Sequence, residues 1–413
     1  MKAFISGRHV WWKRPEMNTD ADSDIERKAS WLELFWDLVF VAVISQFSHF
    51  LHVHSDVKGV VEFAFLFVPV WWIWNGVTFY NERYEMNNVR HRLLMFISMI
   101  PIAGMVCSIP QALGSMAVAF ALCNMMSRLL LIYMWLTAGT APIEKKLSVY
   151  FSIGSLISAT LFAVSVFLPS PYMFYVWALA IVVDLATPLF TLKLQAKLPK
   201  ISTSHLPERF GLLVILTLGE TVIGTLNSLP QLSTPSLLTV TVAIESLLVS
   251  FMIWWLYTDH VMYRVFKPGI LPALSWCYLH LPIAICIIAL SAVQNGMIAS
   301  VTIGHASADL LWQLPLFTIM ILLIIALLGR VSESNDRHHG IIDFHQKLEK
   351  ELLQYKLYGA GFILIIILLF GKMLSPAWLL FIVIIGFSIP IMQGLSVWVK
   401  AHLKNKTLIH DTN

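Results

Sequence analysis

Twelve apolar segments, each long enough to cross a lipid bilayer, follow one another along this chain of 413 residues. A membrane-spanning helix needs about 20 apolar residues, and windows of about 19 residues mark twelve such segments. They lie at 32–52, 60–80, 93–110, 113–138, 147–168, 172–192, 209–229, 237–257, 274–299, 311–329, 356–372 and 376–399. Only 13% of the residues are charged, whereas soluble domains carry about 25%. The sequence therefore predicts an all-α polytopic membrane protein with about twelve transmembrane helices.

The basic residues are distributed unevenly between the two sides of the predicted membrane. All but three of the 28 Lys and Arg residues fall on the side of the N-terminus, the exceptions being Lys58, Lys372 and the intramembrane Arg128. Because cytoplasmic loops carry the excess of Lys and Arg, both termini are predicted to be cytoplasmic and the number of spans to be even. Residues 1–30 lack the apolar core of a signal peptide, so the first helix is expected to insert uncleaved.

Short matches between the two halves of the chain indicate an internal repeat. Three matches occur in the same order at offsets of 175 to 181 residues. They are Glu33-Leu-Phe-Trp-Asp-Leu-Val with Glu208-Arg-Phe-Gly-Leu-Leu-Val, Ile73-Trp74 and Thr78 with Ile253-Trp254 and Thr258, and Pro101-Ile-Ala with Pro282-Ile-Ala. They favour six helices in 31–200 and six in 201–400, and an even number gives both repeats the same orientation. The second repeat includes an amphipathic segment at 331–355, expected at the membrane surface. A cytoplasmic tail at 401–413 completes the domain prediction.

Carboxylates inside apolar segments are the strongest indication of function. A carboxylate at the centre of a membrane helix costs about 2.5–3.5 kcal/mol on insertion scales, so each is expected to have a use or a partner. Glu33 and Asp37 lie four residues apart on one face of the first helix, and Gln46 lies farther along it. Glu220 lies near the middle of the seventh helix beside Thr217. Glu220 is interpreted as a proton or cation site, and the alternative is a protonated Glu that hydrogen-bonds a neighbouring helix.

These acids call for a positively charged partner, and Arg128 near the middle of the fourth helix is the obvious one. It can pair with Asp37, Asp184 or Glu220, and the sequence leaves that choice open. A purely structural bridge is the alternative to a functional one for Arg128 and Asp184.

Polar residues at other positions complete the set expected to line a substrate or ion pathway. Glu208 and Arg209 begin the seventh helix as Glu33 begins the first, which indicates either helix capping or a paired entrance to a central pathway. Glu33 itself can instead be an interfacial residue in contact with water. His280, within the ninth helix, is either a proton carrier or a histidine held by one hydrogen bond.

Other classes of function find little support in the sequence. Walker loops, dinucleotide-binding glycine patterns, HExxH and GxSxG are all missing, so we expect neither an enzyme nor a bound cofactor. The four cysteines show no metal-ligand spacing, and no metal site is predicted. A formal net charge of +4 is too small to indicate nucleic-acid binding. The expected partners are membrane lipids and a small solute or ion, and a homo-oligomer is compatible with these features.

The polar blocks together resemble one known family. Leu32-Glu-Leu-Phe-Trp-Asp-Leu-Val-Phe-Val with Gln46 is similar to the first recurring block of the bacterial low temperature requirement protein A (LtrA) family. Further similar blocks follow in matching order: His205-Leu-Pro-Glu-Arg-Phe-Gly-Leu, Leu218-Gly-Glu, Trp254-Trp-Leu-Tyr and Tyr278-Leu-His-Leu-Pro. The resemblance covers about 30–400, with Trp36 where the family commonly has Phe. It implies a multi-pass protein of the bacterial inner membrane that is linked to growth in the cold, and it supplies no substrate.

A fainter likeness concerns mechanism. Phe35-Trp-Asp, near the start of the first helix of a six-plus-six chain, is similar to the Phe-Ser-Asp motif of endolysosomal-type potassium channels, which line their pore with that helix. Here Trp36 replaces the Ser, and the second half has Phe210-Gly-Leu without an acid.

Three functions follow as expectations, in decreasing order of support. The first is a secondary transporter of a small solute or ion with a proton-titrated carboxylate site. The second is a cation-selective channel lined by helices 1 and 7. The third is a membrane enzyme or lipid-binding scaffold that does not transport.

Overall fold

The computed structural model describes residues 15, 17, 28–84, 88–139, 141–229, 236–262, 264–334 and 342–410. This part of the chain contains thirteen α-helices, of which twelve are long and apolar enough to cross a membrane and are labelled α1 to α12. In order they are Trp31–Val53, Val57–Tyr84, Val89–Ser108, Ala117–Leu136, Pro142–Ser165, Tyr172–Phe190, His205–Ser228, Leu237–Tyr257, Ile270–Ser300, Ala308–Val331, Ile342–Phe370 and Pro376–His410. The other helix is the four-residue Leu192–Gln195. The predicted all-α polytopic class is confirmed.

Side-chain caps fix where several of these helices begin. The side-chain oxygens of Asn88, Ser236 and Ser307 accept hydrogen bonds from backbone N–H groups in the first turns of α3, α8 and α10. The first N–H groups of a helix have no partner within the helix, so each cap satisfies a donor that would otherwise be costly to bury.

Packing divides the chain into two compact units. The first comprises the described residues up to Phe50 together with Lys58–Phe210 and Pro268–Leu271, and within it α4 packs against α3 and α5, and α5 against α6. The second comprises Leu51–Val57, Gly211–Lys267 and the described residues from Pro272 onward. Within this second unit, α12 packs against α8 and α11, and α10 packs against α11. The duplication inferred from sequence stays a prediction.

The segment 331–355 differs from the separate amphipathic helix expected there. Ser332–Ser334 forms a short strand that pairs antiparallel with Arg264–Phe266, and residues 335–341 lie outside the described part. From Ile342 a single helix, α11, continues without a break to Phe370. Its sequence holds no Pro and many Leu, Lys, Glu and Gln residues, all good helix formers, so nothing ends the helix at the membrane boundary.

Two glycines allow α11 and α12 to approach closely in the second unit. A Cβ atom added to Gly359 would collide with the carbonyl oxygen of Gly386, and one added to Gly386 would collide with the side chain of Ile363. Small residues at such crossings let helix backbones touch in the membrane, where packing rather than hydrophobicity drives association.

We expect Gly359→Ala to destabilise the protein by about 1–3 kcal/mol, the usual cost of overpacking a close contact. Gly361→Ala is the matched control, because a Cβ there meets nothing within 4 Å and lies two residues farther along the same helix. Thermal unfolding of the purified protein in detergent measures both variants. Equal unfolding temperatures would contradict a tight crossing at Gly359.

Candidate functional site

A buried network of charged side chains lies in the first unit, where the beginnings of α1 and α7 meet the end of α2. Each of its five ionisable members exposes 4% or less of its surface: Glu33, Asp37, Glu82, His205 and Arg209. Charges withdrawn from water to this degree need partners, because desolvation costs several kcal/mol per ion. The network is the most concentrated group of buried charges in the described residues.

Asp37 and Arg209 form the firmest pair of the network. Arg209 Nη1 lies 2.5 Å from Asp37 Oδ2, and Nη2 lies 2.9 Å from Oδ1. The indole N–H of Trp74 on α2 also donates to Oδ1 at 2.9 Å, and the guanidinium carbon of Arg209 lies 5.7 Å from the centre of a Trp74 ring. Two parallel hydrogen bonds from Arg to a carboxylate are strong and directional, so this pair holds α1 to the start of α7.

His205 bridges two carboxylates from different helices. Its Nδ1 lies 2.7 Å from Glu82 Oε2, and its Nε2 lies 3.2 Å from Glu33 Oε2. A neutral imidazole carries a single N–H, so it can donate to only one of these oxygens. Both carboxylates also accept from backbone N–H groups, Glu33 from Ser30 at 2.9 Å and Glu82 from Ser202 at 2.6 Å. Two hydrogen bonds along this chain therefore require two protons shared among His205 and the two carboxyl groups.

A capping box places Glu33 in this network. Ser30 Oγ accepts from the backbone N–H of Glu33 at 3.3 Å, while the Glu33 carboxylate accepts from the backbone N–H of Ser30. The pattern Ser-x-x-Glu is the sequence mark of a helix start, and it fixes the side chain at the first turn of α1. Glu33 Oε1 remains buried without a hydrogen bond, 3.7 Å from Arg209 Nε.

Two further titratable residues border the network. Arg83, next to Glu82 and 5% exposed, donates to the carbonyl of Pro199 at 2.5 Å. His91 on α3 is buried and interacts electrostatically with Glu33. Within the described residues, no three or more His, Cys, Asp and Glu side chains are placed to hold a metal ion.

Arg128 is paired with Asp184, one of the three partners that the sequence allowed. Its Nη2 and Nε lie 2.6 and 3.0 Å from Asp184 Oδ2, which also accepts from Ser158 at 2.9 Å. Asn124 accepts from Nη1 through its carbonyl and side-chain oxygens. The ring of Phe162 lies 4.5 Å from the guanidinium carbon. Every partner belongs to α4, α5 or α6, so the bridge ties these three helices together.

The second unit contains a different kind of polar site, made mostly of hydroxyl and amide groups. Thr221 on α7 donates to Ser250 Oγ at 2.8 Å, and Gln294 on α9 donates to the Ser246 carbonyl at 3.0 Å. Glu220, 8% exposed, lies at this site, and its carbonyl oxygen accepts from Ser291.

The other residues predicted to line a pathway occupy separate positions. Thr217 is buried and donates to the carbonyl of Val214 within its own helix. Gln46 is half-buried on α1. Glu208 is half-buried, and its carboxylate accepts from the backbone N–H of Ala29 at 2.8 Å.

His280 has a partner for each ring nitrogen. Its Nδ1 lies 2.8 Å from the Trp276 carbonyl and must donate there, so Nε2 accepts from the Tyr257 hydroxyl at 2.9 Å. This arrangement is typical of a neutral histidine that is part of the packing.

Sequence reasoning missed three members of the network and one further acid. Glu82 was assigned to a loop, because the second span was ended at residue 80 whereas α2 continues to Tyr84. His205 and Trp74 carried no sign of pairing with acids on other helices. Glu245, inside α8, was visible as an intramembrane carboxylate; it is half-buried, and its Oε2 has no hydrogen-bond partner.

Fold and site together define a polytopic helical membrane protein with a buried ion-pair network. The sequence model described as "Bacterial low temperature requirement A protein (LtrA)" matches residues 28–389, so the chain belongs to the LtrA family. It is also 29% identical over 303 residues to an uncharacterized protein of Rhizobium meliloti (strain 1021), covering 68% of this chain and 70% of that protein. No solved structure matches the chain.

We expect Arg128→Ala to destabilise the folded protein by about 3–5 kcal/mol, because it leaves Asp184 buried without its counter-ion. The double variant Arg128→Ala with Asp184→Asn removes the stranded charge and is expected to recover part of that loss. Thermal unfolding in detergent measures both. An unfolding temperature unchanged by Arg128→Ala would contradict a buried bridge.

Proposed function

We propose that the protein is a secondary transporter of a small solute or ion, with its proton-titrated site at Glu33, His205 and Glu82. The observation that carries this proposal is an imidazole within hydrogen-bonding distance of two buried carboxylates from different helices. This carboxylate–imidazole–carboxylate group has one fewer hydrogen bond when it loses a proton. The packing of α1, α2 and α7, which supply its three members, is therefore coupled to protonation. Intramembrane chains of Asp, Glu and His are characteristic of pumps and transporters.

The charge balance of the network favours a cation as the transported or coupled species. Among the described residues, the carboxylates of Glu33, Asp37 and Glu82 contact two basic side chains, His205 and Arg209. Loss of one proton makes this group more negative by one charge, in a region that exposes almost no surface to water. A bound cation would offset that charge, and Glu33 Oε1 is a buried acceptor without a hydrogen bond. Exchange of a proton for a cation is the simplest transport cycle that keeps the net charge of the network constant.

The alternative is a cation-selective channel, favoured by the direct pairing of Asp37 on α1 with Arg209 at the start of α7. A channel of this kind would conduct ions beside α1, in proportion to the driving force. A transporter instead saturates with substrate and couples its flux to a gradient.

We place the network near the cytoplasmic face of a bacterial inner membrane, with both termini in the cytoplasm. Support comes from the distribution of basic residues, since segments rich in Lys and Arg adjoin the beginnings of α1 and α7.

His205→Gln and Glu82→Gln are expected to insert and fold but to lose proton-coupled flux. Each variant keeps a hydrogen-bonding side chain and removes a titratable group. Flux of protons and potassium into proteoliposomes, under imposed pH and potassium gradients, measures the effect. Glu208→Gln is the control, because Glu208 is a half-buried carboxylate at the same helix start that does not contact His205 at hydrogen-bonding distance.

Full flux in both His205→Gln and Glu82→Gln would refute the proton site. Flux that follows the electrical driving force without saturation would favour the channel instead.

Glu220→Gln and Asp37→Asn are likewise expected to insert but to be inactive, because each removes a charge with little change of volume. The same flux assay applies to them. The double variant Asp37→Asn with Arg209→Gln removes both charges of the pair. It therefore distinguishes an effect of the unpaired Arg209 from an effect of losing the Asp37 carboxylate. Wild-type flux in both single variants would remove these residues from the pathway.

A further inference from the structure

A cavity of about 520 Å³ lies in the first unit, between the start of α3, the end of α4 and the start of α5. Its polar lining consists of Arg90 from α3, Tyr133 and Thr137 from the end of α4, and Lys145 and Ser148 from α5. Two positively charged residues therefore line one small cavity. Ligand sites commonly have volumes of about 300–1,000 Å³, so the space suits a small polar group.

Arg90 is the unusual member of this lining. Its side chain is almost entirely buried, at 5% exposure. Its guanidinium donates to Thr137 Oγ1 and lies 5.6 Å from the centre of the Tyr133 ring. Neither partner is negatively charged, and no ion pair of Arg90 is found among the described residues. A buried guanidinium is unfavourable without a counter-ion, and an anion bound in this cavity would supply one that the described residues do not.

The rest of the cavity is equally suited to an anion. Helices α3 and α5 both begin beside it, at Val89 and Pro142, and helix N-termini carry partial positive charge. Ser148 is buried in the lining, with its hydroxyl beside that of Tyr84. The nearby Glu144 is engaged at the start of its own helix, where its carboxylate accepts from the backbone N–H of Ala141 at 3.2 Å.

We propose that this cavity binds a phosphate group that carries net negative charge, supplied by the headgroup of an anionic membrane lipid. Arg90 provides planar guanidinium donors, Lys145 provides a mobile ammonium group, and Ser148 provides a hydroxyl donor. Three lining residues explain why a lipid suits better than a free ion: Tyr133, Leu136 and Val149 are 45%, 54% and 45% exposed. Acyl chains would cover these apolar side chains while the headgroup occupies the cavity. Basic pockets between membrane helices bind anionic headgroups in this way.

The site does not depend on transport. It shares no residue with the network of Glu33, Asp37, Glu82, His205 and Arg209, and it would bind lipid in a transporter, a channel or a scaffold.

The test compares two adjacent lysines in the purified full-length protein. Lys145 lines the cavity whereas Lys146 does not, and both are exposed, so Lys145→Ala and Lys146→Ala are expected to fold equally well. The unfolding temperature in detergent is measured against increasing phosphatidylglycerol, phosphatidylcholine or inorganic phosphate. We expect phosphatidylglycerol to raise it and phosphatidylcholine to have little effect. Lys145→Ala loses one charge-assisted contact, so it should need about tenfold more phosphatidylglycerol for the same rise in unfolding temperature. Lys146→Ala should respond like the wild type.

Arg90→Gln provides a second variant and is expected to abolish the response. If it fails to fold, the comparison of the two lysines still decides. A rise produced equally by inorganic phosphate, and lost in Lys145→Ala, would support the phosphate site while assigning it to a soluble phosphate instead of a lipid. Equal responses of Lys145→Ala and Lys146→Ala, equal effects of both lipids, or no response to any probe would overturn the proposal.

Discussion

A guanidinium group withdrawn from water needs an anion, and in the first unit this requirement decides which helices meet. Arg209 lies near the start of α7 and pairs with Asp37 of α1, which also accepts a hydrogen bond from Trp74 of α2. Arg128 and Asp184 impose the same condition on α4 and α6. Apolar packing between membrane helices is permissive, because lipid solvates an apolar surface as well as a neighbouring helix does. The charged pairs therefore supply much of the specificity of this arrangement.

The two ion-pair sites differ in a way that bears on function. Asp184 is met by Arg128 and Ser158, and the guanidinium is met by Asn124 as well, so the donors and acceptors of that site are well matched. Around His205 they match only while the imidazole and its two carboxyl groups share two protons. A site whose donors and acceptors are fully matched stabilises the fold. A site whose hydrogen bonds change with the gain or loss of one proton is suited to proton transfer. This contrast favours a functional site at the helix ends, where His205 lies, over one at the membrane centre.

The sequence predicted the architecture well because span length and hydropathy are local properties of the chain. It also singled out Asp37, Glu33, Arg128, Asp184 and Arg209, all of which lie in buried ion pairs, since a charge in an apolar segment is visible without any neighbours. It could not supply the partners, because helical periodicity gives the face on which a residue lies but not which helix that face meets. Glu82 was lost to a boundary misplaced by one helical turn, which is the least certain part of such predictions.

The pair that holds α1 to α7 has a consequence for biosynthesis. Asp37 and Arg209 are separated by 172 residues. Ribosomes add about 5–20 residues per second, so Asp37 is made roughly ten to thirty seconds before its partner emerges. Six helices must therefore be inserted while the carboxylates of α1 still lack their guanidinium. During that interval these acids depend on water, lipid headgroups or the insertion machinery, and the first unit closes only when translation has reached the seventh helix.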